Sequence, residues 1–172
     1  FVKKRDERLK HKNVYILRPC MIHGPGNKGN LNLLYSLVKK GIPWPLGAFD
    51  NQRSFTSIEN LCFIIQKIIN SDIPSGIYNI ADDEPVSTNR LIELISEVRG
   101  SKAKIMNVNP GVIKGMSRLG DLLHMPLNSL RLQKLTENYV VSNEKIKTAL
   151  GLDKLPISAE GGLIRTLKSF ND

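Results

Sequence analysis

The sequence is poor in the features that mark secreted, membrane-spanning and metal-binding proteins. Its two cysteines, Cys20 and Cys62, form neither a disulfide framework nor a metal-ligand spacing. Both lie among apolar residues, so we expect them to be small buried thiols. Two unpaired cysteines fit a reducing cytoplasm. Gln66 and Lys67 interrupt the longest apolar run well short of a membrane span. The charged residues 1–8 lead into no apolar region, so we expect no signal peptide in them.

Acidic residues are outnumbered by basic ones, and the net charge is +9 at pH 7. Such a balance suggests nucleic-acid binding, but the dense basic cluster in residues 3–12 is interrupted by Asp6 and Glu7 and contains no interleaved aromatic residue. We interpret it as a solvated helix face and expect no nucleic-acid partner and no membrane contact. The positive field favours an anionic ligand such as a nucleotide diphosphate.

Short apolar runs alternate with amphipathic segments, which predicts an α/β fold. The run 13–17 is apolar on both faces and suits a central parallel strand. Further strands are predicted at 53–57, 76–80 and 103–108, with an edge strand or extended loop at 42–47 and a glycine-containing loop at 20–30. Helices are predicted at 31–40, 58–70, 88–99, 111–124, 129–136, 142–150 and 159–170, and residues 1–12 are the expected end of another helix.

Two of these helices have a predicted buried face. The helix at 31–40 is expected to bury Leu33, Leu34, Leu37 and Val38. The helix after Ser87 or Thr88, either of which is a suitable N-cap, is expected to bury its apolar positions, which are Leu91, Ile92, Leu94, Ile95 and Val98.

A series of motifs follows one another along almost the whole chain. Residues 17–26 read LRPCMIHGPG, residues 53–61 read RSFTSIENL, and residues 76–80 read GIYNI. The closing pattern is Asn143–Ile146 with Leu150-Gly151, followed by Pro156 and Glu160–Leu163. In this order the motifs resemble those of the extended short-chain dehydrogenase/reductases, the family of NAD-dependent sugar-nucleotide epimerases and dehydratases. His23 stands where that family most often has Tyr, and Asn60 where it has Asp.

The resemblance implies an organisation for the chain. The fold would be α/β, the C-terminal part of a Rossmann-like extended short-chain dehydrogenase with its small substrate-binding α/β domain. Residues 1–30 would be a remnant of the dinucleotide-binding domain, comprising a helix end, one strand and a ligand loop. Residues 31–172 would be mainly the substrate-binding domain, with some segments returning to the Rossmann-like sheet.

The resemblance also implies a function. The family's glycine-rich NAD turn and Tyr-x-x-x-Lys pair do not occur in this sequence where the family has them, so we expect both upstream of residue 1 and an inactive isolated chain. The chain would be the substrate-binding portion of an NAD-dependent nucleotide-diphosphate-sugar epimerase, similar to UDP-sugar 4-epimerases. An NAD(P)-dependent reductase or dehydratase, or a non-catalytic NAD- or sugar-nucleotide-binding regulatory protein, is the alternative. We also expect a homo-oligomer, as a strand-paired or swapped dimer.

Candidate site residues follow from the same resemblance. Pro19, Cys20, Met21 and Ile22 would line the nicotinamide side of the cofactor pocket, or would simply lead from a strand into a loop. Arg53 would contact the diphosphate of the nucleotide sugar, a role that its planar fork of donors suits, or would be a surface arginine.

Asn30 and Leu46 complete the predicted substrate site, each with an open alternative. Asn30 would help to bind a phosphate at a helix start, or would be the N-cap of that helix. Leu46 would touch the nucleotide base, or would belong to the core.

Several other polar residues are interpreted as structural. We expect His23 to be a packed or rim histidine, since no carboxylate lies within three residues of it. The run 82–84 is expected to be a solvated turn, and Arg118–Asp121 to be part of a helix. The lone histidines His11 and His124 imply no metal site.

Overall fold

The computed structural model describes residues 13–122 and 129–170. In chain order the elements are β1 (Tyr15–Pro19), β2 (Met21–His23), α1 (Asn30–Lys39), β3 (Phe55–Ser57), α2 (Ile58–Ile69), β4 (Gly76–Ile80), α3 (Thr88–Val98), α4 (Pro110–Leu122), α5 (Ser129–Thr136), α6 (Glu144–Leu150) and α7 (Ala159–Lys168). No helix in these residues is long and apolar enough to cross a bilayer.

The strands form two parallel pairs, and the second pair continues from the end of the first. β1 pairs with β4 and β2 pairs with β3, with Met21 opposite Phe55. Only Cys20 separates β1 from β2, and its N–H donates to the carbonyl of Ile80 at 3.0 Å. The second pair therefore begins where the first pair ends. Parallel strands joined through helices confirm the predicted α/β class.

Serine side chains fix the start of three helices. Ser57, Ser87 and Ser158 each accept a hydrogen bond from the backbone N–H three residues later, which satisfies a donor that the helix itself leaves unpaired. The predicted cap at Ser87 is thereby confirmed. Gly151, in the left-handed conformation with φ of 63°, ends α6.

The apolar core has three parts. One packs α1, α3 and α7 against β3, and its members include Leu31, Tyr35, Phe55, Leu94, Ile95, Leu163 and Leu167. A second packs α2 and α6 against β1 and β4 through Ile64, Ile68, Tyr78, Ile80 and Ile146. The third contains Trp44, Leu46, Ile92, Ile113 and Leu132. The predicted inward face of α3 is confirmed, since its apolar positions lie in these clusters.

The predicted buried face of α1 is partly wrong. Leu33 is 66% exposed and Leu37 is also exposed, whereas Leu31 and Tyr35 are buried. The inward positions are 31, 34, 35 and 38, which follow helical spacing around the α3 contact. Tyr35, which was not predicted to be buried, belongs to the inward face, and its ring packs edge-on against Phe170.

Other local expectations also differ from the structure. Residues 103–108 are not a strand, because Ile105 and Asn107 make only single bridges, to Trp44 and Leu46. The loop expected at 20–30 contains β2. Cys20 is buried as expected, but Cys62 is exposed, because α2 directs positions 64 and 68 towards the sheet and position 62 away from it.

Two expectations have no outcome in the structure. The helix end predicted at 1–12 lies outside the described residues. The division at residue 30 stays a prediction, since β1 and β2 before it pair with β4 and β3 after it.

We predict that the chain self-associates through the edge of β1. In residues 13–122 and 129–170, β1 pairs only with β4, and Val14 beside it is 40% exposed. A free apolar edge is a template for another strand, and at physiological salt the repulsion from the +9 charge is screened within about 8 Å. Size exclusion with light scattering at micromolar concentration should show a dimer, and Val14→Lys should weaken it. A monomer with all β1 amides protected from hydrogen exchange would contradict this prediction.

Candidate functional site

The carboxyl ends of β1 and β4 lie side by side, with Pro19 opposite Ile80. In open α/β sheets this is the edge at which ligands bind. The predicted cofactor residues 19–22 therefore begin at this edge. Pro19 and Ile22 are exposed, the latter by 45%, and Met21 is half-buried. Pro19 and Ile22 are thus accessible, and none of the four side chains carries a formal charge.

Cys20 is the buried member of this group. Burial, and after it the charge of Asp82, raises the pKa of the Cys20 thiol. The side chain is therefore a neutral packing group, because only the thiolate is a strong nucleophile.

Arg53 lies in a run of backbone that is paired on both sides. It exchanges two backbone hydrogen bonds with Val86, at 3.1 and 2.9 Å, and the N–H of Ser54 donates to Tyr139 at 2.8 Å. Because Phe55 stands opposite Met21, Arg53 lies close to the start of β2. The structure thus brings Arg53 and the predicted cofactor residues to one region.

The guanidinium of Arg53 is only partly satisfied. Its Nη1 donates to the carbonyl of Lys134 at the end of α5. Its Nε is buried, and no described residue provides an acceptor for it. An unsatisfied buried N–H costs about 1–3 kcal/mol. The side chain therefore combines a fixed position with a donor that still lacks an acceptor.

Asn30 and Leu46 lie on other elements. Asn30 is exposed and is the first residue of α1, and the N-cap is Gly29, so the capping interpretation of Asn30 is wrong. The reason is the turn before it, where the Asn27 side chain accepts from the N–H of Gly29 at 2.7 Å. Leu46 is 4% exposed and belongs to the third core cluster, as its alternative interpretation stated. Their contacts to substrate stay predictions.

The run 82–84 is a turn as expected and Glu84 in it is exposed, but Asp82 is not solvated, and its role was not predicted. Asp82 is buried, and its carboxylate accepts from Ser57 N at 3.0 and 3.1 Å, from Ser57 Oγ at 3.2 Å and from Asn60 Nδ2 at 2.7 Å. A buried carboxylate needs such partners, since an unpaired one is costly to bury. Its position directly after a buried strand is the signal that could have suggested this role.

His23 joins this network from β2. It is buried as expected, with Nδ1 3.0 Å from Thr166 Oγ1 on α7. Its Nε2 lies 3.7 Å from Asp82 Oδ2. A carboxylate does approach His23, but it comes from the end of β4, so sequence distance could not reveal it.

Asp83 and Glu84 bind the last two helices to the same edge. Asp83 accepts from the N–H of Leu155 and from Asn143, both at 2.8 Å, and forms an ion pair with Lys147 at 3.1 Å. Burial acts to raise the pKa of Asp83, but these contacts outweigh it and lower the pKa. Glu84 accepts from the N–H of Ala159 at 3.1 Å.

A shallow cavity of about 430 Å³ lies beside Gln52 and includes Arg90 and Glu160 in its lining. Arg90 donates to Glu160 at 2.8 Å, to Glu97 at 2.8 Å and to Glu93 at 3.1 Å, and its hydrogen bond to Glu160 is the main cause of its raised pKa. Three carboxylates around one arginine leave no excess positive charge for an anionic ligand.

The Arg118–Asp121 run lies within α4, as expected. The Asp121 carboxylate accepts from the N–H of Ser129 at 2.9 Å and so connects α4 to α5. The structural interpretation holds for Asp121, and the Arg118 side chain lies outside the described part of the chain.

The sequence matches no protein-family model. UDP-glucose 4-epimerase of Vibrio cholerae is 38% identical over 81 residues, which are 46% of this chain and 25% of that protein. The alignment thus spans about a quarter of the relative's length.

Solved structures share the fold over almost the whole chain. UDP-N-acetylglucosamine 4-epimerase of Bacillus cereus has a TM-score of 0.66 at 14% identity, over 96% of this chain and 50% of that one. The Bordetella bronchiseptica enzyme WbmG, in complex with NAD and UDP, has a TM-score of 0.62 at 16% identity, over 92% of this chain and 43% of that one. The predicted resemblance to NAD-dependent sugar-nucleotide epimerases is therefore confirmed at the level of the fold. The chain spans about half the length of these structures.

We predict that Asp82→Asn lowers the free energy of unfolding by about 2–4 kcal/mol, because an amide cannot accept from all the donors that surround this carboxylate. The matched control is Asp72→Asn, since Asp72 is exposed and its contact among the described residues is a long one, of 3.4 Å to Asn13. Urea denaturation followed by circular dichroism measures both variants. Equal stability of the two would show that the Asp82 network is not important for folding.

Proposed function

We propose that this chain, which resembles the extended short-chain dehydrogenase/reductases in motif order and in fold, is the substrate-binding portion of an NAD-dependent nucleotide-diphosphate-sugar epimerase. The curated relative acts as a UDP-glucose 4-epimerase, and one structure with the same fold holds NAD and UDP. These likenesses support a UDP-sugar as the ligand.

The Arg53 guanidinium is the observation that carries the proposal. It stands on paired backbone, its side chain as a whole is only half-buried, and it lies near the carboxyl edge of the strands. A diphosphate oxygen is an acceptor of the right charge for this fork, and a charge-assisted hydrogen bond is stronger than a neutral one. Arg53 would therefore hold the diphosphate and leave the sugar beyond it.

The predicted cofactor residues fit a nicotinamide. Pro19 and Ile22 offer exposed apolar surface, and Cys20 is held neutral by burial, so no charge in this group opposes the ring. When bound, NAD would accept and return the hydride of an epimerisation. The chain's own contribution would be to bind and orient the nucleotide sugar, which is a large part of catalysis when two reactants must meet.

A reductase or dehydratase would use the same diphosphate contact, so this contact does not distinguish among these reactions. A non-catalytic NAD- or nucleotide-sugar-binding protein would use it as well. We propose the cytoplasm as the location, where nucleotide sugars would be available.

We predict that Arg53→Ala weakens UDP binding by about ten- to a hundredfold, the loss expected for a charge-assisted contact. Arg165→Ala is the matched control, because Arg165 is an exposed arginine whose ion pair with Glu59 is long, at 3.9 Å. Isothermal titration of UDP and UDP-glucose into each variant measures the effect. Equal affinities in the two variants would remove Arg53 from the site.

We also predict that this polypeptide alone, mixed with NAD and UDP-sugars, gives no sugar product above the buffer control, because its sequence lacks the family's Tyr-x-x-x-Lys pair and glycine-rich turn at the expected places. Chromatography of the sugars after hydrolysis measures the product. Turnover would show that this chain carries its own catalytic groups.

A further inference from the structure

Asn51 is a buried amide two residues before Arg53. Only 1% of it is exposed, and all of its described contacts are to other elements. Its Nδ2 donates to Thr88 Oγ1 at 2.9 Å and to the carbonyl of Leu135 at 3.1 Å, and its Oδ1 accepts from Thr88 N at 3.1 Å. Asn51 therefore connects the backbone before Arg53 with the start of α3 and the end of α5.

The end of α5 depends on side chains from this run. The last four carbonyls of a helix lack partners within it and carry its partial negative charge. Here the Gln133 carbonyl accepts from Glu137 N at 2.8 Å. The next two carbonyls, of Lys134 and Leu135, are bound by Arg53 and Asn51. Two neighbouring carbonyl acceptors are thus bound by two side-chain donors that are two residues apart in the same extended run.

We propose that Asn51 is a positioning residue for the anion-binding arginine, an inference that rests on the proposed role of Arg53. By satisfying the Leu135 carbonyl, Asn51 leaves Arg53 with one helix carbonyl to bind and keeps its other donors for the ligand. Without Asn51, the Leu135 carbonyl is an unpaired acceptor beside the guanidinium and competes with a diphosphate oxygen. The end of α5 also loses the contact that holds it next to Arg53.

Asparagine suits this position because the site needs both a donor and an acceptor. Thr88 N requires an acceptor, and the Leu135 carbonyl requires a donor. A carboxylate would supply only the acceptor, and a hydroxyl is too short to replace both ends of the amide. Asn51 therefore provides the donor without adding a charge beside the ligand.

The test is a double-mutant cycle on UDP affinity, measured by isothermal titration. Asn51→Ala should weaken binding by about three- to tenfold, the effect of a neutral hydrogen bond. In the Arg53→Ala background the same substitution should change the affinity little, because Asn51 acts through Arg53. Asn51→Asp, which keeps the acceptor for Thr88 N, should also weaken binding and serves if the alanine variant folds poorly.

Thr88→Val is the matched control. It removes the hydroxyl that Asn51 binds but keeps the contacts of Asn51 with Thr88 N and with Leu135. A purely structural role predicts that Thr88→Val and Asn51→Ala both lower stability without changing the affinity of the folded protein. The proposed role predicts that only Asn51→Ala changes the affinity.

Hydrogen exchange tests the effect of Asn51 on the end of α5 without a ligand. The amide of Glu137, which closes the last turn of α5, should exchange faster in Asn51→Ala than in Thr88→Val. The positioning role would be overturned if Asn51→Ala left the UDP affinity unchanged, or if it lowered the affinity equally with Arg53 present and in the Arg53→Ala variant. Either result would leave the proposed diphosphate contact of Arg53 intact. If Arg53→Ala binds UDP as the unmodified chain does, or if that chain binds no UDP, the proposed function fails and this inference with it.

Discussion

The carboxylate of Asp82 is the constraint on which the rest of the structure depends. A charge buried at the end of β4 is tolerable only if donors converge on it, and these donors come from Ser57 and Asn60, where β3 turns into α2. His23 approaches from β2 and reaches α7 through Thr166. One buried charge thus holds together the ends of three strands and the starts or sides of two helices. The carboxyl edge, where the ligand is proposed to bind, is therefore a fixed part of the fold.

The backbone of the proposed ligand site is held in place by hydrogen bonds to segments near this edge. Val86, four residues after Asp82, pairs with Arg53 on one side, and Tyr139 pairs with it on the other. The arginine consequently stands on backbone that is hydrogen-bonded in both directions, so little conformational entropy is left for a ligand to remove. The Asp82 network and the Arg53 run are separate sets of contacts, but the turn at residues 82–85 connects them.

Features determined by neighbouring residues could be predicted from the sequence, and features determined by distant ones could not. Ser57, Ser87 and Ser158 begin helices through contacts only three residues long, so the order of elements followed from local patterns. The burial of Asp82 depends on partners from β2 and α2, and the exposure of Cys62 depends on which side of α2 the sheet covers. Arg53 was found through a motif, but its contact with the end of α5 is a product of tertiary packing. The strand expected at 103–108 failed because its neighbours offer only isolated bridges.

The Asp82 carboxylate also accounts for Asn60, one of the two positions at which this sequence was noted to differ from the pattern that it resembles. The Asn60 amide donates to Asp82 Oδ1 and to the carbonyl of Ile157, both at 2.7 Å, and accepts from Ile157 N at 3.2 Å. An aspartate in the same conformation would lose both donors and place a second carboxylate against the first, and like charges at that distance in a buried site disfavour joint ionisation. Asparagine keeps the shape of the aspartate and supplies the donors that Asp82 requires. The departure is therefore consistent with the buried charge beside it, and it ties the start of α2 to the segment that leads into α7.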